Sequence, residues 1–194
     1  LPILMFSVSC GRSDNTENNP DASPEPTEEN VNFDYVEQPS PEPEQEVNFV
    51  FPEKGVRPYA VMIDNQGEKC LPQGGLSQAQ VIYEVIVEGG ITRFMPVFWG
   101  QKTELIGPVR SARHYFLDYA LEHDAIYVHI GWSPMAMADI PKLGVNNING
   151  AYRGFWDITN DKSNWQDTYT SMEKLEEYAK KVNYRTTTDK EMVF

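Results

Sequence analysis

Forty consecutive residues, 11–50, contain six prolines and eleven Asp/Glu but no Leu, Ile or Met. Such a stretch cannot bury enough apolar side chain to offset the entropy of ordering its backbone, so it reads as a disordered spacer. Proline and repulsion among its acids extend it. Any core must come from residues 51–194, which is room for one ordinary globular domain and not two. The charge divides at the same place. Of the formal net charge of −13, residues 1–50 hold −10 (eleven acids against Arg12), and residues 51–194 only −3 (eighteen acids against fifteen Lys/Arg). Binding nucleic acid without sequence preference needs a basic footprint to displace counterions from phosphates, and this balance excludes it. A local cationic patch on the near-neutral domain stays open.

Before the spacer, LPILMFSVSC is a short apolar run, a small residue and then Cys10, which reads as residues 1–10 closing a secretory h-region. The run is too short to span a bilayer. A cysteine in that place resembles the lipobox of bacterial lipoproteins, with Val8 and Ser9 at matching positions and Ser7 where an aliphatic residue is usual. The resemblance implies lipidation of Cys10 and a domain held off a membrane by the spacer. The alternatives are an ordinary signal remnant or a buried strand. With Cys10 lipidated, Cys70 stands alone and the fold must hold without a disulfide.

From residue 51 the character changes. RPYAVMIDN places a short apolar strand, Tyr59 to Ile63, before the polar pair Asp64 and Asn65. In AQVIYEVIVEGGITRFMPVFWG two β-branched and aromatic runs flank Gly89-Gly90, predicting a β-hairpin of Val81 to Glu88 and Ile91 to Trp99 with a two-residue turn. Alternation puts Tyr83, Val85 and Val87 on one face and Ile82, Glu84, Ile86 and Glu88 on the other, and Pro96 marks the second strand as an edge or as bulged. After IGPVRSAR, apolar residues at Ala112, Tyr115, Phe116, Tyr119 and Ala120 follow helical spacing, with Ser111 as N-cap.

The strand AIYVHI then ends at Gly131, and a short helix runs from Ser133-Pro134 to Leu143. Residues 144–168 suggest strand fragments and a long lid-like loop. Thr170-Ser171-Met172-Glu173 reads as a capping box opening a helix to Val182, and YRTTTDKEMVF begins another strand, at which the sequence stops as a fragment of a longer protein would. Interleaved strands and helices with one hairpin predict an α/β (mixed α+β) class: a mixed sheet covered by helices, one domain at 51–194 after the tail.

The ordered runs RPYAVMIDN, GLSQAQVIYEVIVEGGITRFMPVF and IGPVRSARHYFLDYALEHDAIYVHIGWSP resemble the N-terminal domain of the YerB-like bacterial lipoproteins, over roughly residues 55–182. That resemblance implies a secreted, lipid-anchored protein on the extracytoplasmic face of the cell membrane, with a second, smaller domain after this one. It implies no particular reaction. The chain departs from the family at His114, where proline is usual. It departs again in DITNDKSNWQDTYTS, where only Tyr169-Thr170-Ser171 match a segment otherwise carrying arginines and a histidine.

Arg110 and Arg113, three apart at the mouth of the expected helix, would point to one side beside its free N–H groups, with Ser111 adding a hydroxyl. That suits a carboxylate or phosphate, which guanidinium pairs bidentately. The alternative is internal pairing with Glu84, Glu88 or Asp64. Glu84, in the middle of an apolar strand, needs a cation or donor, and Arg93, Arg110 or Arg113 would supply it. Asp64, Asn65 and His129 sit near the ends of apolar strands, where ligand sites form if those strands are parallel.

No zinc-ligand spacing, P-loop, G-x-G-x-x-G or G-x-S-x-G occurs, so no metal or cofactor is implied. Two functions fit. One is a tethered binding module for an anionic cell-envelope ligand or a protein partner, touching the membrane only through its anchor. The other is an envelope hydrolase or transferase with His129 or Asp64 as base and the arginines stabilising developing charge.

Overall fold

Tyr59 to Asn65 is one extended run that changes partners at Met62. The structure is a computed structural model describing residues 51–151 and 154–191, so the readings for Cys10 and the spacer lie outside it. Chain order is β1 (Tyr59–Val61), β2 (Ile63–Asn65), β3 (Val81–Ile86), β4 (Thr92–Phe98), α1 (Phe116–Glu122), β5 (Ile126–His129), α2 (Pro134–Lys142), β6 (Asn147–Asn149), β7 (Trp156–Asp157), β8 (Thr168–Tyr169) and α3 (Met172–Lys181). β1, β5 and β6 lie parallel, whereas β4 runs antiparallel to β3 on one side and to β1 and β2 on the other. Across the sheet the order is therefore β3, β4, the β1/β2 run, β5, β6, with β7 and β8 a separate pair. This is the mixed, helix-covered sheet that the interleaved pattern predicts.

Each face carries its own core. Met62, Met95, Val97 and Tyr127 pack against Phe116, Leu117 and Ala120 of α1 and Ala136 and Ile140 of α2. On the other face Val61, Ile63, Phe98, Ile126, Val128 and Ile148 pack against Met172, Leu175 and Ala179 of α3. Burying one such large side chain is worth about 1.5–3 kcal/mol, which is why the short strands hold.

Several expectations change in detail. The hairpin loop is three residues, Glu88–Gly90, closed by the Val87 N–H donating to the Ile91 carbonyl at 2.8 Å. A two-residue turn would have set Tyr83 opposite Pro96. The observed register sets it opposite Met95, and Val81 opposite Val97, keeping all four on the core face. Gly89 and Gly90 make the loop possible, with φ of 76° and 74°.

Pro96 lies in a central strand, not an edge. The ladder to β4 is interrupted between Ala60 and Ile63, opposite Met95 and Pro96, where proline has no N–H to give. Met62 donates instead to the Val128 carbonyl at 2.9 Å. α2 opens as expected, Ser133 Oγ accepting from the Ala136 N–H at 3.2 Å. α3 is capped by Ser171, which accepts from the Lys174 N–H, while Thr170 turns inward to the Gly154 carbonyl, so the box read from Thr170 does not form. Over the described part of YRTTTDKEMVF there is no strand. Thr188 is buried and Tyr184 half-buried against the core, but the rest is exposed, and Thr187 makes one isolated bridge to Val56.

Candidate functional site

The break at Met62 opens a gap between β2 and the continuation of β5, and residues 108–112 fill it. Arg110 donates its N–H to the Met62 carbonyl (2.9 Å) and its carbonyl accepts from the Ile130 N–H (3.0 Å). Ala112 donates to the Gly131 carbonyl and accepts from the Ser133 N–H, both at 3.0 Å. These bonds hold IGPVRSAR extended, so α1 opens only at Phe116, and Ser111 is not its cap. In extended backbone, residues three apart point to opposite faces. Arg110 and Arg113 accordingly part company, and neither sits at a helix N-terminus.

Arg110 turns toward β2. Its Nε lies 3.0 Å from Asp64 Oδ2, although the N–H is not directed at an acceptor, so the contact is an ion pair rather than an aligned hydrogen bond. Asp64, with its side chain 2% exposed, also accepts from Gln166 Nε2 at 2.9 Å. Trp165 roofs the guanidinium, its ring centroid 4.0 Å from Cζ and its carbonyl accepting from Nη1 at 2.7 Å. Arg113 turns toward the hairpin loop, where its Nε lies 2.8 Å from both oxygens of Glu88.

Between these pairs lies Arg93, which faces Asp64 across the β2–β4 ladder. It is 8% exposed, donates from Nη1 to the Ser111 carbonyl at 2.5 Å, and makes no ion pair among the described residues. Its Nε is buried without an acceptor. Burial pulls the guanidinium below its ordinary range, and neighbouring Arg113 adds to that while Asp64 and Glu88 oppose it. The hydroxyl of fully buried Tyr127 makes no well-aligned hydrogen bond, although the Arg113 backbone lies close enough to act on it together with the charges of Arg93 and Arg113. Buried donors left open are rare in native structures, which sets Arg93 apart from the paired arginines beside it.

The structure thus joins Asp64, Arg93, Arg110, Arg113, Glu88 and the Ser111 backbone in one charged cluster, and it holds the other sequence candidates apart from that network. Glu84 is exposed and takes no arginine. It accepts from Thr92 Oγ1 at 2.7 Å and Asn65 Nδ2 at 3.2 Å, because its face of β3 carries no covering helix and water can solvate it. His129 is fully buried, with Nδ1 2.8 Å from the Gly131 carbonyl and Nε2 3.1 Å from Asn147 Oδ1. Burial lowers its pKa, against the pull of those two contacts. Both ring nitrogens are thereby engaged.

Sequence reasoning did not single out Trp165, Gln166 or Tyr127. The first two fall in the stretch read as a lid-like loop, and Tyr127 looked like core. Among the described residues no group of three or more His, Cys, Asp or Glu could hold a metal ion.

Residues 50–185 match the family described as "Protein of unknown function (DUF3048) N-terminal domain". A curated relative, "Putative lipoprotein YerB" of Bacillus subtilis (strain 168), is 39% identical over 132 residues, covering 66% of this chain and 39% of the relative. A crystal structure of the YerB protein from Bacillus subtilis matches with a TM-score of 0.63 at 35% identity, over 76% of this chain and 49% of that one. The chain therefore spans half or less of the length of either.

Proposed function

The chain belongs to the DUF3048 N-terminal-domain family, and from that premise we propose that it is the binding domain of a lipoprotein, anchored through Cys10 on the extracytoplasmic face of the membrane, that holds an anionic cell-envelope ligand at the Arg93 crevice. The relative's name and the lipobox-like LPILMFSVSC support the anchor. One observation carries the binding reading: Arg93 is a buried cation with an open Nε and no carboxylate in ion-pair contact. A buried charge without a partner costs several kcal/mol, and a fold keeps one where an external group completes it.

Arg110 and Arg113 have internal partners, so they shape the crevice rather than offer it. The geometry favours binding over catalysis. His129 has no free nitrogen to act as base, and Asp64 is already held by Arg110 and Gln166. The test is the Arg93 Nε–H resonance of the full chain during titration with sodium acetate and sodium phosphate, against sodium chloride at equal ionic strength. A saturable shift of that resonance by either anion is expected; a resonance that follows ionic strength alone would end the proposal.

A further inference from the structure

The crevice already seats one carboxylate. Glu88 stands in the three-residue loop, its side chain 64% exposed, with both oxygens 2.8 Å from Arg113 Nε. Burial alone would raise its pKa, but the Arg113 hydrogen bond, the loop's own backbone and the charges of Arg113 and Arg93 outweigh burial and hold it below the ordinary range. At this point of the fold, then, guanidinium meets a planar, singly charged group.

Beside that pair, Arg93 spends Nη1 on the Ser111 carbonyl and leaves the edge formed by Nε and Nη2 without an acceptor among the described residues. A guanidinium presents parallel N–H groups along such an edge, and a carboxylate's two oxygens match them. The charge count points the same way. Three arginines (93, 110, 113) against two acids (64, 88) leave an excess of one positive charge. A singly charged anion cancels it, whereas a doubly charged phosphate would leave a buried negative charge uncompensated.

We propose that the ligand group of this crevice is a carboxylate, docked on the free edge of Arg93 beside the Glu88–Arg113 pair. The proposal rests on reading the crevice as an anion site, and the experiment separates the two. The full chain is titrated with N-acetylglycine, with N-acetylglycinamide and with inorganic phosphate, followed by calorimetry and by the arginine Nε–H resonances. N-acetylglycine binds, the amide does not, and phosphate binds more weakly than N-acetylglycine.

Glu88→Gln removes a like charge beside the docked group and tightens N-acetylglycine about two- to fivefold, the size expected of one exposed ion-pair partner. Arg93→Lys keeps the charge but loses the fork, and it abolishes the preference over phosphate. Phosphate binding more tightly than N-acetylglycine to the wild-type chain, or weaker N-acetylglycine binding to Glu88→Gln, overturns the carboxylate while leaving an anion site. Neither anion binding to either chain overturns both.

Discussion

Arg93→Met and Arg110→Met remove the same functional group from adjacent places, yet they should have very unequal consequences for stability. Arg110 neutralises Asp64, whose side chain is 2% exposed and whose other contacts include one amide donor, Gln166. Taking away one partner of a buried pair leaves an uncompensated charge and costs roughly 3–5 kcal/mol. For a domain of this size that is on the order of 10–15 °C in Tm.

Arg93 has no such partner. Its loss deprives the Ser111 carbonyl of one donor, worth about 1 kcal/mol, and some attraction to Asp64 and Glu88. Against this, a desolvated guanidinium with an open Nε disappears, and so does its repulsion with Arg113. Arg93→Met should therefore fall within about 1 kcal/mol of wild type, on either side, which is how a residue kept for binding behaves. Urea unfolding with m-values compared across the variants is the assay. If Arg93→Met loses as much as Arg110→Met, Arg93 is a structural cation and the binding argument fails with it.

Stability should fall on acidification below neutrality, through the buried histidines. Burial lowers the pKa of both His123 and His129, so the unfolded chain takes up protons first as pH drops below about 6.5. Their contribution is fully present above that pH and is lost toward the lower folded values, at roughly 1.4 kcal/mol per pH unit for each histidine. His129→Gln should make the fall in stability below pH 6.5 shallower in urea titrations, and an unchanged slope would refute the assignment. Gln166→Ala strips a donor from buried Asp64 and should cost about 1–3 kcal/mol in the same assay. In a bacterial host supplied with labelled fatty acid, the chain should take up label, and Cys10→Ser should abolish it; label retained in the variant would refute the anchor.

The parts of the fold legible beforehand are those decided by neighbours in sequence. Alternation in VIYEVI set the faces of β3, with Tyr83 and Val85 inward and Ile82, Glu84 and Ile86 exposed. Ser133-Pro134 placed the start of α2. What failed was decided by distant partners. Ala112, Tyr115, Phe116 and Ala120 do lie at helical spacing, and three of the four are fully buried. Ala112, however, is buried as extended chain, because the Gly131 and Ser133 backbone bonds outbid one more turn of helix. Periodicity cannot tell these apart, since a short apolar stretch buries equally well in either form.

Asp64 and Glu88 are among the internal partners expected for Arg110 and Arg113, and the same limit explains why Glu84 lacks the arginine expected for it. Glu84 seemed to require a cation because its strand neighbours are apolar, but burial of a strand is settled by what covers each face, and its face is left to water. Asp64 looked like a residue at the open end of a strand; it is among the most buried acids of the described chain because Gln166, 102 positions later, closes over it. The second outcome follows from Met62. Where the β1/β2 run leaves β5, residues 108–112 enter, their extended backbone sends Arg110 to Asp64 and Arg113 to Glu88, and Arg93 is left between two satisfied pairs. Met62 carries no chemistry of its own. The backbone bonds that place these arginines run to Met62 and Ile130, far off in sequence, and that is why no motif in the charged residues alone could have disclosed the cluster.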